Sequence, residues 1–140
     1  MISFPFVTYY QKILNVSGLP FISNHAFNFW AVVSQWKDIP DTKIFFGMPY
    51  RNWGYLITSF FIFLILKRLL RRKFDVYEVF LTAGLGAYAS FLFLTRIHER
   101  HFVQVLPFLM LLGLYNRKYL YLFALLSFVH FFNLYHNWPV

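Results

Sequence analysis

The chain has 140 residues, of which 59% are hydrophobic and 13% charged, about half the charged share of an ordinary soluble domain. Aromatic side chains make up 24% of it, which excludes intrinsic disorder and low-complexity linkers. A formal charge of +8 would point to nucleic acid in a polar chain, but here the basic residues punctuate apolar runs, so membrane lipid is the expected partner and nucleic acid is not. With no cysteine there is no disulfide framework and no thiolate chemistry.

Residues 1–52 are apolar but interrupted by Pro5, Pro20, Pro40 and Pro49, with Gly18 and Gly47 marking turns. Met1 to Tyr10 lacks a basic start and is broken at Pro5, so it does not read as a signal peptide. Asn15-Val16-Ser17 is a lone glycosylation sequon of little weight. The stretch 24–36 (NHAFNFWAVVSQW) predicts a helix capped by Ser23 or Asn24, at about thirteen residues too short to cross a bilayer. It is expected to lie in an interface, with Trp30 and Trp36 as anchors.

Four membrane-span candidates follow, because about 20 apolar residues match a hydrocarbon core about 30 Å thick. The first is 53–70, with Lys67 and Arg68 at one end where they can snorkel. The second, 76–95, contains Ala83, Gly84, Gly86, Ala87 and Ser90, small residues that predict close helix packing. The third, 98–115, is short and carries Pro107 as an expected kink; the fourth, 119–136, leads to an interfacial Trp138. The expected fold is therefore all-α, an integral membrane helical bundle of about four transmembrane helices over 53–140, preceded by an extracytoplasmic or interfacial segment over 1–52.

Orientation follows from where Lys and Arg fall in short loops. Seven of the 13 basic residues (Lys67, Arg68, Arg71, Arg72, Lys73, Arg117 and Lys118) lie in the two loops 67–73 and 116–118, which are placed in the cytoplasm. Residues 1–52 and loop 96–101 are then extracytoplasmic.

Chemistry concentrates in TRIHERHF, where Arg96, His98, Glu99, Arg100 and His101 crowd a membrane edge. Two guanidiniums and two imidazoles suit a strongly anionic group such as a lipid-linked phosphate, with Glu99 orienting one of them. The plainer reading is a solvated loop near headgroups. His98 and His101 are three apart, not the four of a zinc-protease HExxH helix, and no third ligand is offered, so no metal is expected. Ser127, His130 and Asn133 share one face of the fourth span, where hydrogen bonding between helices is the simplest role. Gly47 to Gly54 (GMPYRNWG) brings Tyr50, Arg51 and Trp53 to the same side as the ionic loop, while Asp38 and Asp41 sit in a Pro-bounded turn that explains an Asp well enough.

FLFLTR followed by HERHFVQVLPFLMLLG resembles the motif region of polytopic glycosyltransferases of the GT-C class that use polyprenyl-phosphate sugars. In mannosyltransferase-like members a span ends in Thr-Arg-Met-His-Glu-Arg-Tyr before Leu or Phe, Pro and another apolar helix; this chain has Ile97 for Met and His101 for Tyr. NHAFNFWAV looks like their Asn-Ala-Phe-Asn-Leu-Trp-Ala stretch, through Asn24, Ala26, Phe27, Asn28, Phe29, Trp30 and Ala31, and Gly47 to Trp53 looks like their entry to the next helix. The resemblance implies a membrane enzyme of a prokaryotic plasma membrane with an extracytoplasmic site. In it Arg96, His98, Glu99, Arg100 and His101 bind the donor's lipid phosphate, while Asn24, Asn28, Trp30, Tyr50 and Arg51 shape the neighbouring loop. Members of the class carry their catalytic acid in an N-terminal outer loop without counterpart here. The chain is thus expected to be the C-terminal part of such an enzyme, with the general base on a missing N-terminal half and a polyprenyl-phosphate-linked sugar as substrate, without a cofactor. The alternative is a small non-enzymatic four-helix membrane protein, an accessory or flippase-like subunit of polysaccharide assembly.

Overall fold

A computed structural model describes residues 20–72 and 74–136. The sequon, the reading of Met1 to Tyr10 and the interfacial place given to Trp138 lie outside the described residues. A short helix α1 (Phe29–Ser34) and a two-stranded antiparallel hairpin, β1 (Ile44–Phe45) and β2 (Met48–Pro49), precede two long helices, α2 (Tyr50–Arg71) and α3 (Val76–Phe93). A 3₁₀ helix (Glu99–Val105) runs directly into α4 (Leu106–Gly113), and α5 (Lys118–His136) closes the described chain.

Each boundary has a local cause. Helix α2 starts at once after Pro49, ahead of the expected Trp53, and ends with Arg68 and Arg71 against its negative dipole end. Asp75 caps α3, its carboxylate accepting from the Tyr77 N–H at 3.2 Å. The residue before it, Phe74, takes the left-handed conformation at φ 56°, which turns the chain between the two helices. Pro107 falls in the first turn of α4, where its missing N–H costs nothing, so it starts that helix rather than kinking a longer one.

Helices α2 and α3 are long and apolar enough to cross a membrane by length and composition. Helix α4 has 8 residues and is too short to cross alone; it continues the 7-residue 3₁₀ helix directly. Large apolar side chains are exposed along α2 (Tyr55, Phe60, Phe63 and Leu66 among them) and along α5, a surface that water disfavours.

The elements pack in sequence, α2 on α3, α3 on the 3₁₀ helix and α4, and α4 on α5. Their termini define two ends. At the basic end α2 leads to α3 and α4 leads to α5, and a bidentate Arg68–Glu78 pair at 2.8 Å ties the first of these junctions. At the other end residues 20–49 form a cap. The main core joins Ala26 of the cap to Phe91, Phe102, Val105 and Leu109, and a second core holds Ile22, Trp30 and Tyr50.

Close approach falls at Gly84, one of the small residues that predict it, and at Gly54, which is not among them. A Cβ on Gly54 would stand 2.9 Å from the Phe93 carbonyl oxygen and 3.2 Å from the Thr95 nitrogen, and one on Gly84 would stand 2.9 Å from the Phe108 Cβ. Gly86 is less constrained, with Ile62 Cδ1 at 3.6 Å from such a Cβ. Gly54→Ala should therefore destabilise the fold by about 1–3 kcal/mol, as overpacking against backbone does. Gly86→Ala should leave it within about 0.5 kcal/mol of the parent. Equilibrium unfolding in detergent micelles checks both.

Candidate functional site

The cap is built on a run of backbone that sequence periodicity does not reveal. Residues 20–25 lie between two other segments: the Ile22 N–H donates to the Ile39 carbonyl (2.9 Å) and the Asp41 N–H to that of Pro20 (2.7 Å). On the opposite side the Asn24 N–H donates to the Ile97 carbonyl (3.1 Å) and the Arg96 N–H to that of Phe21 (3.3 Å). Bridges pair Phe21 with Pro40 and both Asn24 and His25 with His98. These commitments correct the helix expected over 24–36. It forms only over Phe29–Ser34, because residues 20–25 spend their amides sideways and His25 adopts φ 59°. The N-cap is accordingly Asn28, whose Oδ1 accepts from the Ala31 N–H at 3.0 Å, and not Ser23 or Asn24.

An ion pair crosses this layer. The Arg96 Nε donates to Asp41 Oδ2 at 2.6 Å and its Nη2 to Oδ1 at 3.0 Å, a two-pronged bond whose carboxylate side chain is 1% exposed. The carboxylate holds the Arg96 guanidinium above even its ordinary high pKa, so that charge is permanent. Arg96 takes φ 61°, a left-handed conformation uncommon for a side-chain-bearing residue, and the pair with Asp41 holds it there. Asp41 also places the mouth of α2, since its carbonyl accepts from the Arg51 N–H at 3.0 Å. The Pro-bounded turn that holds Asp41 thus does more than turn.

The loop-shaping residues divide among these tasks. Trp30 is 1% exposed and its Nε1–H donates to the Phe93 carbonyl at 2.6 Å, satisfying an orphan group at the end of α3. It is a core residue and not an interfacial anchor, whereas Trp36 is exposed. Tyr50 is buried, stacked on Phe45 (4.7 Å between centroids) and edge-on to Trp30. Asn24 is buried beside Ile97, Asn28 caps α1 through Oδ1 while its buried Nδ2 has no hydrogen-bond partner among the described residues, and the Arg51 side chain is exposed.

What faces outward from this frame is the start of the 3₁₀ helix. Arg100 is exposed and, among the described residues, forms no ion pair. His98 and His101 lie beside it, rings 5.9 Å apart and inclined by 29°, with His101 Nδ1 3.2 Å from the His98 nitrogen. Glu99 takes part in no ion pair among the described residues, so its influence on the imidazoles acts through space. Burial pushes the His98 pKa down, and nearby Arg100, His101 and His25 push it further, against the opposing pull of Glu99. His98 is therefore a neutral N–H donor at pH 7 inside a positive field. His25 belongs to this group through its bridge to His98; the available signal was its position as the extra residue within NHAFNFW.

Among the described residues no three His, Asp or Glu side chains gather as a metal site. No family model matches this sequence, no curated protein matches it, and no solved structure matches its fold. The side chains at this end are thus a guanidinium without an ion pair among the described residues and two imidazoles, on a backbone held by hydrogen bonds and one ion pair.

The polar stripe of α5 also reaches this end. Asn133 Oδ1 accepts from the Phe27 N–H at 2.6 Å, fixing the cap onto α5, and His130 is buried with its ring 5.3 Å from that of Phe102.

Two outcomes follow. Arg96→Met should destabilise more than Asp41→Asn, because the first strands a buried carboxylate while the second leaves a guanidinium 38% exposed that can turn to water. The first loss should approach about 3 kcal/mol, the low end for a broken buried pair, since one partner is partly solvated. In an NMR titration His98 should gain its proton below pH 6.5, its ordinary value. Unfolded chains bind that proton at 6.5 and the folded one resists it, so the cap's stability is retained above 6.5 and falls as pH drops below it.

Proposed function

We propose that this chain is an integral membrane protein that provides the donor-phosphate side of a glycosyltransferase site. The site takes a polyprenyl-phosphate sugar on the extracytoplasmic face, where the cap lies. The bundle then crosses the bilayer four times, through α2, α3, the 3₁₀ helix continued by α4, and α5, in a prokaryotic plasma membrane. The basic end is cytoplasmic, in keeping with the Lys and Arg bias of its loops.

The observation that carries the reading is the exposed Arg100 beside His98 and His101, held on a frame that Arg96 and Asp41 lock from behind. In a sugar transfer from a lipid phosphate, negative charge builds on the departing phosphate, and fixed cations and N–H donors aimed at it lower the barrier. Arg100 supplies the permanent charge and the two imidazoles supply directed hydrogen bonds. Arg96 acts first as a positioning residue, its Nε and Nη2 forked onto Asp41. The acceptor hydroxyl needs a carboxylate to remove its proton. Asp41 is occupied by Arg96, and Glu99 sits among the groups that hold the phosphate, so the general base is assigned to a partner segment, the N-terminal half that the family resemblance implies.

One observation favours a second reading, a non-enzymatic accessory or flippase-like subunit. With Arg96 committed to Asp41, part of the ionic cluster has a structural role, and a scaffold needs no more than that.

Binding separates the two. In nanodiscs containing the full chain, Arg100→Ala should weaken polyprenyl-phosphate binding at least tenfold, the equivalent of about 1.4 kcal/mol and within the worth of one charged hydrogen bond. Arg100→Lys should recover part of it, as a point charge without the planar fork. Affinity unchanged in Arg100→Ala, with the fold intact, overturns the phosphate clamp and leaves the scaffold reading.

A further inference from the structure

At the basic end, Lys67, Arg68, Arg71 and Arg72, with Leu64, line an open surface hollow of about 370 Å³ along one face of α2 and its C-terminal cap. Helical spacing stacks Lys67 with Arg71 and Arg68 with Arg72, two like-charge columns side by side, an arrangement that destabilises a helix in the absence of counter-charge. Part of that cost is met within the fold. Glu78 binds Arg68 through both oxygens at 2.8 Å and lies 4.0 Å from Arg72. The carbonyl end of α2 adds roughly half a negative charge. Asp75, the next acid along the chain, is exposed, caps α3 through the Tyr77 N–H and forms no ion pair among the described residues.

Two of the four cations, Arg68 and Arg72, approach that carboxylate, and Lys67 and Arg71 have no ion-pair partner among the described residues. Below them Leu64, Leu66 and Phe63 of the same helix are exposed, so the positive hollow adjoins an apolar surface. The chemistry that satisfies both is an anionic head on an apolar tail. We propose that this hollow binds the phosphodiester headgroup of an anionic phospholipid in the leaflet at the basic end, its acyl chains lying along α2. Arg71 offers a planar fork for the phosphate oxygens and Lys67 a mobile point charge, while Glu78 keeps Arg68 in place as the wall of the hollow. The proposal rests on the membrane reading of α2 and is independent of the sugar-phosphate site at the cap.

The test places the full chain in phosphatidylcholine nanodiscs doped with phosphatidylglycerol and measures the lipid retained by the protein after brief delipidation. The wild type should hold phosphatidylglycerol several-fold above its share of the bilayer, and its thermal midpoint should rise with phosphatidylglycerol content. Lys67→Gln with Arg71→Gln should lose the enrichment, and Lys67→Arg should keep it. Millimolar inorganic phosphate should leave the retained lipid in place. Bulk composition around the wild type, which needs no variant to fold, overturns the proposal even where polyprenyl phosphate still binds at the cap. Full displacement by inorganic phosphate overturns it in favour of a free-anion site. A chain recovered outside the bilayer overturns the membrane reading and this inference together.

Discussion

The fold at the cap depends on one contact, the two-pronged bond between Arg96 and the buried Asp41 carboxylate. It joins residues 55 positions apart and sets the left-handed turn after α3. It also holds the segment that begins α2, through the Arg51 amide on the Asp41 carbonyl. A buried carboxylate is costly without such a partner, so the geometry is fixed by the penalty for breaking it more than by any net gain in stability. The backbone ladder of residues 20–25, squeezed between 39–41 and 96–98, is the neutral scaffolding around that charge.

From this constraint the division of labour among the ionic residues follows. A guanidinium forked onto a buried carboxylate through Nε and Nη2 is fixed in place, so Arg96 belongs to the frame, with its outer N–H groups still partly exposed. Arg100, His98 and His101 start a helix whose backbone the frame positions, and they remain available to solvent or a ligand. Burial first, and then the positive charge of Arg100, hold His98 neutral; an anion arriving there would offset the second of these, so binding and protonation of that imidazole are coupled with the same sign.

The elements legible in the sequence were those whose cause is local. Apolar runs marked α2 and α3 within a few residues of their ends, and the small residues at 84 and 86 marked helix contacts that the structure places against Phe108 and Ile62. The ionic loop stood out by composition alone. What stayed hidden was non-local. Nothing near Asp41 announces Arg96, and a Pro-bounded turn accounts for an aspartate without it. The helix expected over 24–36 has adequate propensity, yet its start is claimed from a distant segment, where the Ile97 carbonyl takes the Asn24 N–H and Asn24 and His25 bridge to His98. Trp30 fits an interfacial belt by type, but its N–H reaches the Phe93 carbonyl and its ring fills the cap core. Pro107 predicts a kink, and only the 3₁₀ helix before it makes it a start.

The claim that one ion pair organises the cap is open to direct measurement by amide hydrogen exchange on the intact protein and on Arg96→Met. Loss of the pair should release the amides of Ile22, Asn24 and Asp41 together, by a common factor, while those in the middle of α2 and α3 keep their protection. Unchanged protection at Ile22 and Asp41 in the variant would contradict the account, since the ladder would then stand without the charge it is said to surround.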